Sequence, residues 1–118
     1  MIHTGKEALV LNDQMYSELI QGLLSILSTQ AIQIVLYGSV ARGTADPDSD
    51  IDIALFVNKN LTREQEDQLS DLIVDLNLKY DKVFSVVDIN QDTYLKWKSV
   101  TPFYQNVDRE GIVLWKAA

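Results

Sequence analysis

The residue types with the most chemical content sit in one short stretch. Gly38-Ser39 is followed, after ten residues, by Asp50-x-Asp52. Glycine lets the backbone approach a phosphate closely, because it has no Cβ and tolerates positive φ. Ser39 opens a short helical turn, where its hydroxyl and the free backbone N–H groups point at one anion. Asp50 and Asp52 are two apart, and side chains two apart on a strand share a face. Two like charges on one face repel, and one of an unpartnered pair is pushed toward its neutral form. A divalent cation resolves that conflict. Mg2+ prefers oxygen ligands and takes one or two protein carboxylates beside substrate phosphates. The stretch thus supplies both halves of a Mg2+–triphosphate site. A Gly-Ser turn alone, or an Asp-x-Asp pair alone, is more often structural; their conjunction between two strand-like runs points to a site. Arg42 has two readings: contact with the nucleotide phosphates, or pairing with Asp46 or Asp48 to tie the loop down.

The full motif, GSVARGTADPDSDIDIALFV, resembles the signature of the nucleotidyltransferase superfamily with the DNA polymerase β-like fold. It is similar in particular to the minimal nucleotidyltransferases (MNT). The later segment PFYQNVDREGIVL is similar to one subgroup, so the resemblance covers most of the chain. It implies an enzyme that binds Mg2+ and ATP, transfers a nucleoside monophosphate to an acceptor hydroxyl and releases pyrophosphate. Asp50 and Asp52 would then be the catalytic metal ligands, and Gly38 and Ser39 would hold the phosphates. The resemblance further implies the antitoxin role of a toxin–antitoxin pair, with a tyrosine of a HEPN ribonuclease as the acceptor. AMP on that tyrosine would add charge and bulk at the partner's RNA site.

The sequence departs from the superfamily at one place. A third carboxylate normally comes from a later strand, where it acts as base and helps hold a second metal. Alignment by eye places Ser85 there. Asp88 lies three residues further and alternates to the opposite face, unless a bulge at the strand end brings it round. The departure supports an alternative reading: a catalytically weak or inactive module that neutralises a HEPN partner by contact alone.

Elements must deliver these residues. Ile32 to Tyr37 reads as the strand entering the Gly-Ser turn, and Ile51 to Val57 as the strand leaving it. Asp50, Asp52, Ala54 and Phe56 make one face of the second strand; Ile51, Ile53, Leu55 and Val57 make the other, buried under helices. Asp13 has the chemistry of a helix cap, for a helix running to about Ser28 with Met15, Leu19, Ile20, Leu23, Leu24 and Leu27 on its buried face. Thr62 and Gln65 make a capping box for a second helix, with an apolar stripe through Leu69, Leu72, Ile73, Leu76 and Tyr80. Val83 to Ile89 reads as a third strand. A helical segment then starts at Asn90 or Asp92, breaks at Pro102 and resumes near Phe103. Trp97, Phe103 and Tyr104 have faces that stack on bases, although packing is the commoner use of such residues. Gly111 ends the last helix, and Ile112 to Trp115 reads as a short edge strand.

The order of elements predicts an α/β (α+β) fold: one polymerase β-like nucleotidyltransferase domain over 1–118, motif core 32–57, with a mixed sheet of about four strands and helices packed against it. The chain has 118 residues, 47% of them hydrophobic, a length suited to one domain. Its net charge of −7, without a Lys/Arg cluster, argues against nucleic acid as a tightly held partner and suits docking on a basic protein surface. The same charge and the short chain weigh against RNA-tailing and antibiotic-modifying transferases, which generally carry further domains for the acceptor. No cysteine is present, which excludes a thiol nucleophile and disulfides. The start MIHTGKEALVLND lacks the basic and apolar regions of a signal peptide, and no apolar run approaches a membrane span, so the expected location is cytoplasmic.

Overall fold

The computed structural model describes residues 3–4 and 13–118. The apolar patch Ala8 to Leu11 falls outside the described residues. The elements, in chain order, are β1 (His3–Thr4), α1 (Asp13–Leu27), β2 (Ala31–Tyr37), α2 (Gly38–Arg42), β3 (Ile51–Val57), α3 (Arg63–Tyr80), β4 (Phe84–Asn90), α4 (Gln91–Trp97), α5 (Pro102–Glu110) and β5 (Ile112–Lys116). A 3-10 turn over Ser28–Gln30 joins α1 to β2.

The sheet is mixed, in the order β1-β5-β2-β3-β4. β2 pairs antiparallel with β3 and with β5, whereas β3 and β4 run parallel, as do β1 and β5. Four strands match the expected number, and the two-residue β1 adds a fifth. That addition moves β5 inside: Ile112 to Trp115, read as an edge strand, lies between β1 and β2. The pairing is long-range, so nothing local in the sequence announces it.

Strand alternation sorts the core into two layers. Ile34 and Leu36 of β2, Ile51, Ile53, Leu55 and Val57 of β3, and Phe84 of β4 pack with Met15, Tyr16, Leu19, Leu23 and Leu27 of α1 and Leu76 of α3. The other sheet face carries a smaller cluster: Val35, Ala54, Phe56 and Ile89 beneath Tyr94 of α4 and Val107 of α5. Helices therefore cover both faces of the sheet. The second face is fully apolar only at the Phe56 end of β3, where Phe56 meets Tyr94 edge-on at 4.8 Å. At the other end the first β3 residue on this face is Asp52, and there the chemistry sits.

Local signals act where they stand. The Thr62 hydroxyl accepts from the Gln65 N–H (3.1 Å) and Gln65 Oε1 accepts from the Thr62 N–H (2.9 Å), which closes the capping box of α3. Asn90 Oδ1 accepts from the N–H groups of Asp92 and Thr93 and starts α4. Pro102 takes the first position of α5, where its missing N–H costs nothing. Gln30 is buried, yet all but one of its side-chain bonding sites are used: Nε2 donates to the carbonyls of Lys59 and Asn60, and Oε1 accepts from Gln65. It ties the β3–α3 turn to the start of β2.

Candidate active site

β2 runs into the Gly38–Arg42 turn without a linker. Gly38 has φ +76°, a conformation that side chains with a Cβ rarely adopt. A second constraint acts at the same atom. A Cβ built on Gly38 would run into the Asp52 carboxylate, and Asp52 Cγ would lie 3.1 Å from it. The close approach that glycine permits is thus first an approach to Asp52. Register explains it: Tyr37 and Asp52 face each other across the antiparallel β2–β3 pair. Gly43, also at φ +76°, ends α2 as expected, its N–H donating to the Val40 carbonyl (3.2 Å) while the Thr44 N–H reaches the Ser39 carbonyl (3.0 Å). Ser39 is half-buried in the first turn of α2.

Asp50 is exposed and is the last residue of the loop, not the first of the strand as the alternation pattern suggests. The β3–β4 ladder begins one residue later, where the Ile51 N–H donates to the Val83 carbonyl at 2.8 Å. The loop before it folds on itself. Asp46 Oδ1 accepts from the Asp48 N–H (2.9 Å) and the Ser49 hydroxyl (3.3 Å), and Ser49 Oγ accepts from the Asp46 N–H (3.0 Å). Asp46 is therefore committed to its own turn. Arg42 pairs with neither Asp46 nor Asp48; its Nη1 donates to Glu110 Oε2 of α5 at 2.8 Å.

The electrostatics follow from this packing. Burial raises the Asp52 carboxyl above its ordinary value, the Asp50 charge pushes it the same way, and Arg42 opposes them. The Tyr37 hydroxyl is also raised, by burial and then by the Asp52 charge. A cation beside Asp52 would favour its ionised form.

On β4 the register settles which residue neighbours the acids. Ser85 is the direct cross-strand partner of Asp52, and Asp88 that of Leu55. Leu55 belongs to the α1/α3 core layer, so Asp88 stands on the opposite side of the sheet from Asp52, and no bulge interrupts β4. No group of three His, Cys, Asp or Glu able to hold a metal occurs among the described residues. The protein's own donor set is two carboxylates beside a backbone turn. That set fits Mg2+, which takes one or two carboxylates and leaves its other positions to water and phosphate.

Two neighbours of the site escape sequence reading. Tyr37 looks like the end of an apolar strand, and Glu110 like a surface acid on a polar helix; only the register and the packing of α5 bring them in. Of the aromatic candidates, Phe103 stands nearest, its ring edge-on to Tyr37 at 5.7 Å. Tyr104 packs on Tyr94 in the second core layer, and Trp97 is exposed on α4 beside Lys96.

The profile of the family described as “Polymerase beta, Nucleotidyltransferase” matches residues 21–117. A Methanocaldococcus jannaschii protein described as “Putative protein adenylyltransferase” is 33% identical over 98 residues, 83% of this chain and 92% of its own. A chain from the crystal structure of a toxin–antitoxin with AMP-PNP superposes with a TM-score of 0.60 at 25% identity, covering 86% of this chain and 73% of that one. A chain from a complex of a tri-AMPylated Shewanella oneidensis HEPN toxin with an MNT antitoxin gives a TM-score of 0.58 at 22% identity, covering 89% and 72%, and shares the fold.

Proposed function

This chain belongs to the polymerase beta nucleotidyltransferase family, and on that premise we propose that it transfers AMP from ATP to a hydroxyl of a HEPN-domain toxin, acting as its antitoxin. The observation that carries the reading is the packing of the Asp52 carboxylate against Gly38, which places an acid at the mouth of the turn suited to phosphate. The relatives point to the same chemistry, one described as a protein adenylyltransferase and another drawn from a toxin–antitoxin crystal with AMP-PNP. The acceptor we favour is a tyrosine, and the cation Mg2+.

In this mechanism Asp50 and Asp52 would hold the cation. When bound, it neutralises the triphosphate and stabilises the charge that develops in transfer. Ser39 and the backbone N–H groups of α2 bind phosphate oxygens, and Arg42 offers the part of its fork that Glu110 leaves open. The acceptor oxygen bonds to the α-phosphorus, the bond from that phosphorus to the α,β-bridging oxygen breaks, and pyrophosphate leaves. The protein contributes position and charge rather than covalent chemistry. Ser85 cannot act as a carboxylate base and Asp52 is engaged with the cation, so the hydroxyl proton goes to a group the acceptor brings.

Ser85 beside Asp52 also favours a second reading, a module that silences its partner by contact without transfer. Intact mass of a co-expressed HEPN partner separates the two. A gain of one or more AMP units supports transfer; an unmodified partner held in a stable, inactive complex supports contact alone.

A further inference from the structure

The strand order brings α5 alongside the phosphate turn, although 60 or so residues separate them in sequence. Phe103, Val107 and Glu110 fall at i, i+4 and i+7, which is one helix face. Each position on that face has a distinct contact. Phe103 meets the ring of Tyr37, the residue just before the turn. Val107 is fully buried in the second core layer. Glu110 binds Arg42, the last residue of the turn. α5 thus braces both ends of Gly38–Arg42.

The Glu110 contact has features of a positioning device. Its side chain is 14% exposed, whereas that of Arg42 is 46% exposed. The Glu110 side chain is thus largely covered, and the guanidinium remains open to solvent. One bond, from Nη1 to Glu110 Oε2, is recorded, and a guanidinium has five donors in a rigid fork. A cation fixed by one nitrogen still presents the rest of the fork to phosphate oxygens.

We propose that Glu110 is a positioning residue for the nucleotide, holding Arg42 from α5 so that its free donors meet the triphosphate without a search through rotamers. The inference rests on the nucleotidyltransfer reading given above and adds a residue to it. An unheld arginine would have to be ordered on binding, which weakens affinity.

The test is equilibrium titration of Mg·ATP into the full chain and its variants. Glu110→Ala should raise the dissociation constant about tenfold, the size expected for one charge-assisted bond. Glu110→Gln should recover most of that, because the amide oxygen accepts the same bond. Arg42→Ala should lose at least as much as Glu110→Ala, and the double variant no more than Arg42→Ala. Should Glu110→Ala not fold, Glu110→Asp carries the prediction, since it keeps the charge and shortens the reach; it should also bind more weakly. Tighter binding by Glu110→Ala, or full additivity with Arg42→Ala, overturns the assignment. If the wild type itself fails to bind Mg·ATP, the nucleotidyltransfer reading falls and the assignment with it. If the wild type binds and the coupling is zero, only the Glu110 assignment falls.

Discussion

Asp50 and Asp52 are two carboxylates with different surroundings, and the difference makes a prediction. Asp50 is exposed in the loop, while Asp52 is partly buried against Gly38 and its carboxyl is raised. A raised carboxyl costs stability when ionised. Below the ordinary value of 3.8 the group is protonated folded or unfolded, and there is no penalty. As pH climbs from there through the folded value, the unfolded chain ionises first and stability is lost; above it the loss is complete. Asp52→Asn should therefore melt higher than wild type at pH 7 without added metal, and the gain should vanish below about pH 3.8. Mg2+ should stabilise the wild type more than the variant. Asp50→Asn and Asp52→Asn should both lose AMP transfer, measured as mass gain on the partner. Full Mg2+-dependent activity in both would rule out the metal assignment. Gly38 carries a second prediction. Gly38→Ala combines a left-handed φ, costing about 1–2 kcal/mol, with a collision against Asp52. The expected loss is about 2–4 kcal/mol in denaturant unfolding, together with loss of Mg·ATP binding.

Strand register decides the third acid. Period-two alternation puts Ser85 and Asp88 on opposite faces, and the parallel β3–β4 pairing sets Ser85 beside Asp52. Ser85→Asp would place three carboxylates together. In EDTA that variant should be less stable than wild type by about 1 kcal/mol, and Mg2+ should restore more stability to it than to wild type. Its transfer rate should rise. Asp88→Asn, across the sheet and exposed, should shift stability by less than about 0.5 kcal/mol and leave transfer unchanged. Loss of transfer in Asp88→Asn would mean that the β4 register changes when the partner binds. The α5 brace belongs to the same level of organisation: a helix of nine residues contacts Tyr37, just before the turn, and Arg42, its last residue.

Charge sets how the whole molecule meets a partner. A net charge of −7 on 118 residues favours association with a basic surface through long-range attraction. Salt shortens that reach, from about 10 Å at 0.1 M to about 3 Å at 1 M. The association rate with a HEPN partner should fall about tenfold or more between about 0.05 and 0.5 M NaCl, with a much smaller change in dissociation. Stopped-flow mixing measures both. An association rate indifferent to salt would assign the docking to apolar contact instead, for which Leu95, Trp97, Val100 and Phe103 are the exposed residues on and between α4 and α5. Among the described residues no helix is long and apolar enough to cross a membrane.

Much of this protein was legible in its sequence because the signals are local. Short apolar runs placed β2 and β3, the Thr62/Gln65 box started α3, and the stretch from Gly38 to Asp52 brought a turn and two acids into one short segment. Such features depend on residues within a turn or two of each other, so they act before any tertiary contact forms. The tertiary structure decided the rest, for the opposite reason. Whether Asp50 joins the strand depends on where the Val83 carbonyl lies. Whether β5 is an edge depends on His3–Thr4, far away in the chain. Arg42 sits between loop acids that suggest themselves by proximity, yet its partner is Glu110, which only the packing of α5 supplies. Gly38 shows the two levels meeting. Its identity could be read as freedom for the backbone, but that the freed space belongs to Asp52 follows from the register of two strands, which no single segment specifies.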